Sequence, residues 1–468
     1  MSQNFPISKL AFALMALSAA SLTQAAGLDR SGQEIKGFFN PGTYAEIDYA
    51  YINTDVSVTD NAGAIVIPST TGGPNREIRN GITSNEASYE KGVNTGNATD
   101  DAYTFARYGV KTNVNDNISI GVFYDEPFGA EVEYTGDNTF VSAPGKQTIV
   151  QSQTGLSVPN EIVNPSVLDP NYDKNTNVSV HTESWTGLLG FKSNGFQVYG
   201  GPVMQKAKAE VHLRGQAYGP LTGYDANVNG DTAYGWLAGV AYSKPEIALK
   251  AALTYRSEID HETEVGERIP LLGVPFLKNA ALAQLGIDPN SDLGRSIGEY
   301  ATTKATVTTP ESVNFNFETG LSKEYQLLGT LDVRWVPWSD FKIVPPFYNA
   351  YSKAAVPEGL PLLSYDKDQW KVDVGLAKRF NEKLAGSVVV GYDSGAGDPV
   401  SSLGTIEGFY SIGGGVKYNV TPEWAVSVGG KYLKFGDATG QLPNGSVVSK
   451  SNDNDGYIAG VKLSYQSQ

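Results

Sequence analysis

The chain contains no cysteine, which excludes disulfides, thiolate metal sites and thiol nucleophiles. Histidine is nearly absent too, with 3 in 468 residues, leaving little for imidazole catalysis. Charged residues make up only 18%, and the net charge of -15 disfavours nucleic acid as a partner. Beyond the N-terminus no apolar run reaches the roughly 18 residues that a membrane-spanning helix needs. What is abundant is Gly (52), Tyr (26) and Phe (18). The 40% of apolar residues must therefore line several soluble cores, or a wall of strands facing lipid.

The N-terminus reads as an export signal. Lys9 is the only charge before Asp29, an apolar stretch runs from Leu10 to Ala20, and Thr23 and Ala25 put small residues at the -3 and -1 positions. Residues 1–25 are thus expected to be a signal peptide, too short to span a membrane as a helix.

The rest of the chain alternates with period two. Tyr457, Ala459, Val461, Leu463 and Tyr465 alternate with Ile458, Gly460, Lys462 and Ser464, and Trp370, Val372, Val374 and Leu376 alternate with Lys371, Asp373 and Gly375. One face is apolar and its rows begin or end on Tyr or Trp, while the other is small, polar or charged; a strand between lipid and a watery interior has this dyad repeat. The pattern predicts fourteen strands, near 43–60, 101–114, 117–135, 176–193, 195–213, 231–244, 247–264, 310–321, 324–339, 368–380, 384–397, 408–420, 423–437 and 455–465. Tight turns such as Asn115-Asp116, Asn194-Gly195 and Thr421-Pro422 alternate with long links at 61–100, 136–175, 214–230, 265–309 and 340–367. Short turns on one rim, long loops on the other and an even strand count describe an all-β fold: a transmembrane antiparallel barrel of the Gram-negative outer membrane with long extracellular loops.

Charges on the face opposite the apolar rows must point inward, because Arg or Lys at the bilayer midplane costs about 2–4 kcal/mol. These are Glu46, Asp48, Arg107, Lys111, Asp125, Lys250, Arg256, Glu318, Asp332, Arg334, Lys371, Asp373, Lys417, Lys431 and Lys462. They either neutralise one another or bind an anionic head group. No nucleophile-elbow serine motif occurs. Asp453-Asn454-Asp455-Gly456 has calcium-loop spacing but lacks the closing Glu, so ordinary turn chemistry is the simpler reading. No cofactor and no metal are expected.

Two features are less ordinary. The third strand is interrupted by Pro127 and Gly129, and Pro cannot donate to a ladder, so a bulge or a break in the wall is expected there. The 265–309 link gathers apolar residues, among them Leu271, Leu272, Val274, Phe276 and Leu277, with a short helix over 278–286. Such a cluster packs on the barrel mouth or meets an apolar ligand.

The segments Asp125-Glu-Pro-Phe-Gly-Ala130, Tyr234-Gly-Trp-Leu-Ala-Gly-Val240, Ala252-Leu-Thr-Tyr-Arg-Ser-Glu258 and Thr309-Pro-Glu-Ser-Val313, after Ala26-Gly27 at the mature start, resemble the FadL/TodX family of outer-membrane transporters for long-chain fatty acids and other hydrophobic compounds. The resemblance implies a fourteen-stranded barrel (residues 43–468) with an N-terminal hatch, here a short plug segment at 26–42. It implies capture of a hydrophobic, fatty acid-like small molecule by extracellular loops and lateral release through a third-strand kink at Pro127, Phe128 and Gly129. Basic residues would hold a carboxylate head group, the candidates being Lys367, Arg214, Lys208 and Arg256. Expected surroundings are outer-membrane lipid, lipopolysaccharide and the barrel-assembly machinery, with the protein a monomer. Against this stand two other readings: a general diffusion porin, suggested by the charged lumen and short hatch, and an outer-membrane lipid hydrolase.

Overall fold

A computed structural model describes residues 27–60, 103–135, 175–214, 216–353 and 356–467, with strand segments at 65–67, 76–79, 82–83 and 95–99. The expected signal peptide and most of the links at 61–100 and 136–175 lie outside the described residues.

The alternation builds a barrel of fourteen antiparallel strands. They are β1 (Tyr44–Asp60), β2 (Tyr103–Asn113), β3 (Ile118–Asp125 continued by Gly129–Glu133), β4 (Asn177–Ser193), β5 (Phe196–Leu213), β6 (Tyr224–Lys244) and β7 (Leu249–Arg256 continued by Ile259–Arg268). There follow β8 (Tyr300–Thr309 continued by Ser312–Ser322), β9 (Leu327–Val336), β10 (Gln369–Arg379), β11 (Leu384–Asp393), β12 (Phe409–Asn419), β13 (Trp424–Phe435) and β14 (Asp455–Gln466). β14 pairs with β1 from Tyr44–Gln466 to Asp55–Asp455, which closes the sheet. Closure removes the edge strands that lipid could not satisfy.

The outer face explains why these segments are strands. Val110, Val122, Leu189, Val240, Val388 and Val461 are exposed on it although they are apolar. An aromatic belt rims the band on the side of the long loops. Tyr108 stacks on Tyr124 at 4.5 Å, Trp236 meets Tyr255 at 5.2 Å, and Tyr392 meets Tyr410 at 5.1 Å. A second belt on the short-turn side includes Phe196 with Tyr242 and Trp424 with Tyr465. Placing Arg at Val122 or Val461 is expected to cost about 2–4 kcal/mol, read from denaturant titrations of folding into lipid vesicles; a loss below about 1 kcal/mol would mean these faces do not meet lipid.

Two strands begin earlier than the alternation predicts. β6 starts at Tyr224 rather than 231, and β8 at Tyr300 rather than 310, so the expected links 214–230 and 265–309 shrink to 214–223 and 269–299. The added strand lengths present Asn227, Asn229, Lys304 and Thr306 outward. They rise above the aromatic belt, so no lipid-facing apolar row marks them.

Among the described residues three α-helices sit in the loops: α1 (Pro275–Gln284), α2 (Asp292–Ser296) and α3 (Pro346–Ser352). The α3 N-terminus is held by Glu267, whose carboxylate accepts from Phe347 N (2.9 Å) and Tyr348 N (2.8 Å).

Candidate functional site

The third strand is broken where its composition says it must be. Its ladder with β2 runs from Asn113–Ser119 to Tyr108–Tyr124 and stops there, at the outer aromatic belt. Above it, Gly129–Glu133 pairs with β4 alone, while Tyr103–Arg107 of β2 pairs with β1. Between these two stretches no ladder forms among the described residues, and the wall has a gap.

The backbone groups freed by the break are taken up by the N-terminal segment, which lies inside the barrel. Arg30 N donates to Pro127 O (2.8 Å), and Gly129 N donates to Leu28 O (2.8 Å). On the other side Phe128 N donates to Thr182 Oγ1 (2.8 Å), and Thr182 N donates to Phe128 O (3.1 Å). Buried backbone groups require such partners.

Arg30, Glu126 and Tyr103 meet at the gap. The Arg30 guanidinium lies over the Tyr103 ring at 4.4 Å and pairs with Glu126 at 3.5 Å. Glu126 in turn faces His181 at 3.5 Å. A Cβ on Gly129 would lie 2.7 Å from Arg30 Cζ, so any residue but Gly at 129 competes with Arg30 for the opening.

Inside, the N-terminal segment is tied to the wall by charge. Arg334 grips Asp29 through two bonds of 2.8 Å, with both side chains buried. Ser31 donates to Asp125 (2.9 Å), Asn314 donates to Gly32 O (2.8 Å), and Lys36 pairs with Asp332 (2.9 Å). Lower down Phe38 packs among Phe123, Leu188, Tyr199 and Val203. Much of the inward charge is spent on such pairs, including Arg107 with Asp48 (2.8 Å) and Lys431 with Asp373 (2.8 Å).

An apolar cavity lies directly behind the break. Leu28, Phe128, Val180, Val307, Trp338 and Phe341 supply its carbon surface, and Lys208, Asp231, His261 and Thr309 its few polar groups. Its volume is about 40 Å³, a narrow space among close-packed side chains. The Trp338 ring is fully buried against Phe128 at 5.6 Å.

The structure sorts the residues singled out above. Pro127, Phe128 and Gly129 stand at the gap. Lys208 lines the cavity, on a strand where Lys206 and Glu210 share its exposed face. Arg256 is buried lower in the lumen and donates to Thr186 (3.1 Å); Arg214 is buried near the outer rim, its N–H donating to Thr176 (2.8 Å); Lys367 is exposed in the loops. The structure therefore does not bring the four basic candidates together. Of the apolar loop residues, Leu272 and Leu277 are buried in the core under the mouth, Leu271 and Val274 are half-buried, and Phe276 faces out. Each histidine faces a carboxylate: His181 with Glu126, His212 with Asp225, His261 with Asp231. At 453–456, Asp453 adopts a left-handed turn and Asn454 donates to Ser57 O (3.1 Å), while the described residues hold no cluster suited to a metal.

Sequence reasoning missed Arg30, Asp29 and Trp338. The first two sit in a segment without periodicity, and Trp338 follows the β9 row of outward residues, where it reads as one more belt aromatic.

A closed fourteen-stranded barrel with belts, inward charge and a wall broken beside an apolar cavity defines an outer-membrane channel suited to molecules that avoid water. Comparison with known proteins agrees. Residues 219–466 match the model of the outer membrane protein transport protein family, OMPP1/FadL/TodX. A crystal structure of a Pseudomonas aeruginosa FadL homologue is similar over 96% of this chain and 97% of its own, with TM-score 0.64 and 14% identity. The Pseudomonas putida toluene transporter TodX is similar over 96% of this chain and 97% of its own (TM-score 0.51, 10% identity), and the Ralstonia pickettii toluene transporter TbuX over 97% of both (TM-score 0.50, 11% identity). Among curated proteins none matches by sequence. The chain belongs to the OMPP1/FadL/TodX family of outer-membrane transport proteins.

Proposed function

We propose that this channel takes up hydrophobic molecules passively, long-chain fatty acids among them, and releases them sideways through the gap between β2 and β3. The observation that carries this is the apolar cavity lined by Phe128, beside a break that only side chains close, Arg30 with Glu126 and Tyr103. Ligand enters from the loops, where Phe276 and the half-buried Leu271 and Val274 present apolar surface. It passes along the cavity, displaces Arg30 from the gap, and leaves above the aromatic belt toward lipid. The N-terminal segment acts as the plug that denies it an axial path. A carboxylate head would be met by Arg256, buried lower in the lumen, or by Lys208, exposed at the outer edge of the cavity; small aromatic compounds, as the toluene transporters TodX and TbuX suggest, would need neither. The protein works as a monomer among lipid and lipopolysaccharide, after insertion by the barrel-assembly machinery, and performs no chemistry on its ligand.

The test sets this against a porin. Cells expressing the protein should take up radiolabelled oleate or toluene faster than cells lacking it, while the purified protein shows no large steady conductance in planar bilayers. Large conductance without uptake of either probe would replace the proposal by a general porin.

A further inference from the structure

The wall carries a second break that the third-strand composition does not announce. β6 and β7 pair from Asp225–Arg268 to Val228–Val265 above, and from Leu237–Arg256 to Lys244–Leu249 below. Between these ladders residues 229–236 face 257–264 with no ladder pair, although the register above and below is the same.

The cause is a shift of phase. Below the break Arg256 and Leu237 both point inward, and above it so do Val265 and Val228. β7 changes phase at Ser257-Glu258, in step with β8 at Pro310-Glu311, after which Ile259, His261 and Thr263 are the buried positions. β6 makes the matching change only at Asn229-Gly230, where two residues oppose Lys208 of β5. Over the stretch between these two phase changes, inward residues of β7 stand opposite outward residues of β6. Pleats out of phase cannot share a ladder, since a one-residue slip exchanges the two faces.

Side chains bridge the break instead. Ile259 fills its lower end against Gly235, whose Cβ would lie 2.7 Å from Ile259 Cγ1. His261 reaches Asp231 of β6 (3.3 Å) and Gln205 of β5 (3.0 Å), and Thr263 donates to Asn229 O (2.7 Å). Ser257 and Trp236 exchange one bond each way at 3.0 Å. The break begins on the Trp236–Tyr255 pair, as the third-strand gap begins on Tyr108–Tyr124, and both hold the same aromatic belt. The apolar cavity joins them, for it is lined by Leu28, Phe128 and Thr182 at one end and by Asp231, His261 and Thr263 at the other.

We propose that the β6–β7 break is a second lateral port of the same cavity, for small or narrow apolar molecules, closed here by Ile259 and by the His261 and Thr263 cross-links. The role in transport rests on the proposed function; the port itself does not. Opening it requires loss of a few side-chain bonds and of the one backbone bond from Ser257 N to Trp236 O, with no loss of ladder, which makes it a weak seam in a closed barrel.

The native chain has no cysteine, so a staple can be placed cleanly. Gly235→Cys with Ile259→Cys puts two Cβ atoms within disulfide reach. In liposomes, with Gly129→Phe filling the first gap, adamantyl diazirine dissolved in the bilayer should label the peptides carrying Val307–Pro310 and Phe341–Ile343 while the staple is reduced. Labelling should fall fivefold or more when it is oxidised. Equal labelling in both states, with the disulfide verified by mass, would overturn the port. Should the staple not oxidise, His261→Ala with Thr263→Val decides: labelling should rise at least threefold, and no rise would overturn it equally. Absence of oleate and toluene uptake by the unaltered protein would count against transport, whereas the labelling pattern would still decide the port.

Discussion

Gly129→Phe is expected to lower uptake of radiolabelled oleate tenfold or more while the barrel still inserts, as shown by the usual gel shift between heated and unheated samples. The reason is spatial. A Cβ at 129 already meets Arg30 Cζ at 2.7 Å, and a phenyl ring would extend from there into the opening. The wall around it should tolerate the change, because Gly129 sits where β3 has lost β2 and pairs with β4 only. Gly129→Ala adds one methyl group, which the flexible Arg30 can evade, so it should lose far less. Any small uptake left in the Phe variant is what the β6–β7 port would carry. Full uptake in a properly inserted Gly129→Phe protein would remove the third-strand gap from the pathway.

The second large effect concerns the N-terminal segment. Arg334→Ala leaves Asp29 buried with no counter-charge, since both partners of this pair are nearly closed to solvent. Breaking one side of a buried pair costs about 3–5 kcal/mol, a factor of roughly 10²–10⁴ in the population of the displaced segment. Asn314 and Gln33, which also bond to the guanidinium, lose a partner at the same time. Release of residues 27–42 would open the lumen end to end. The variant should show steady ion conductance in planar bilayers and admit polar solutes that the unaltered protein excludes. Arg334→Lys, which keeps the charge but loses the two-pronged grip, should fall between. A closed, non-conducting Arg334→Ala protein would mean that the apolar packing of Phe38 holds the segment without the ion pair.

The barrel was legible because lipid writes on a sequence. Each strand that crosses the apolar band must show a hydrophobic row, as Tyr457 to Tyr465 does, and these rows located all fourteen strands. Legibility ended with the apolar band: Tyr224–Gly230 and Tyr300–Thr309 rise from the aromatic belt toward the loops, and nothing on their outer faces distinguishes them from loop. The third-strand break could be read from Pro127, whose missing N–H has a direct consequence for a ladder. The β6–β7 break could not, because it arises from phase changes at different heights on two strands and depends on register, which local alternation does not reveal. The basic residues were the least legible part. Lys367, Arg214, Lys208 and Arg256 differ little in sequence terms, and only the fold separates Lys208, at the exposed edge of the cavity, and the buried Arg256 from Lys367 in the loops. Arg30 lies in an aperiodic segment, so its place in the gap depends on the path of the chain through the lumen.

The most direct measurement is a structure of the protein with oleate bound. Lateral passage predicts elongated density in the cavity between Leu28, Phe128 and Thr309, its tail directed at the opening between Tyr103 and Gly129 with Arg30 displaced. Density running instead past Phe38 toward the short-turn rim, with Arg30 still seated over Tyr103, would contradict it.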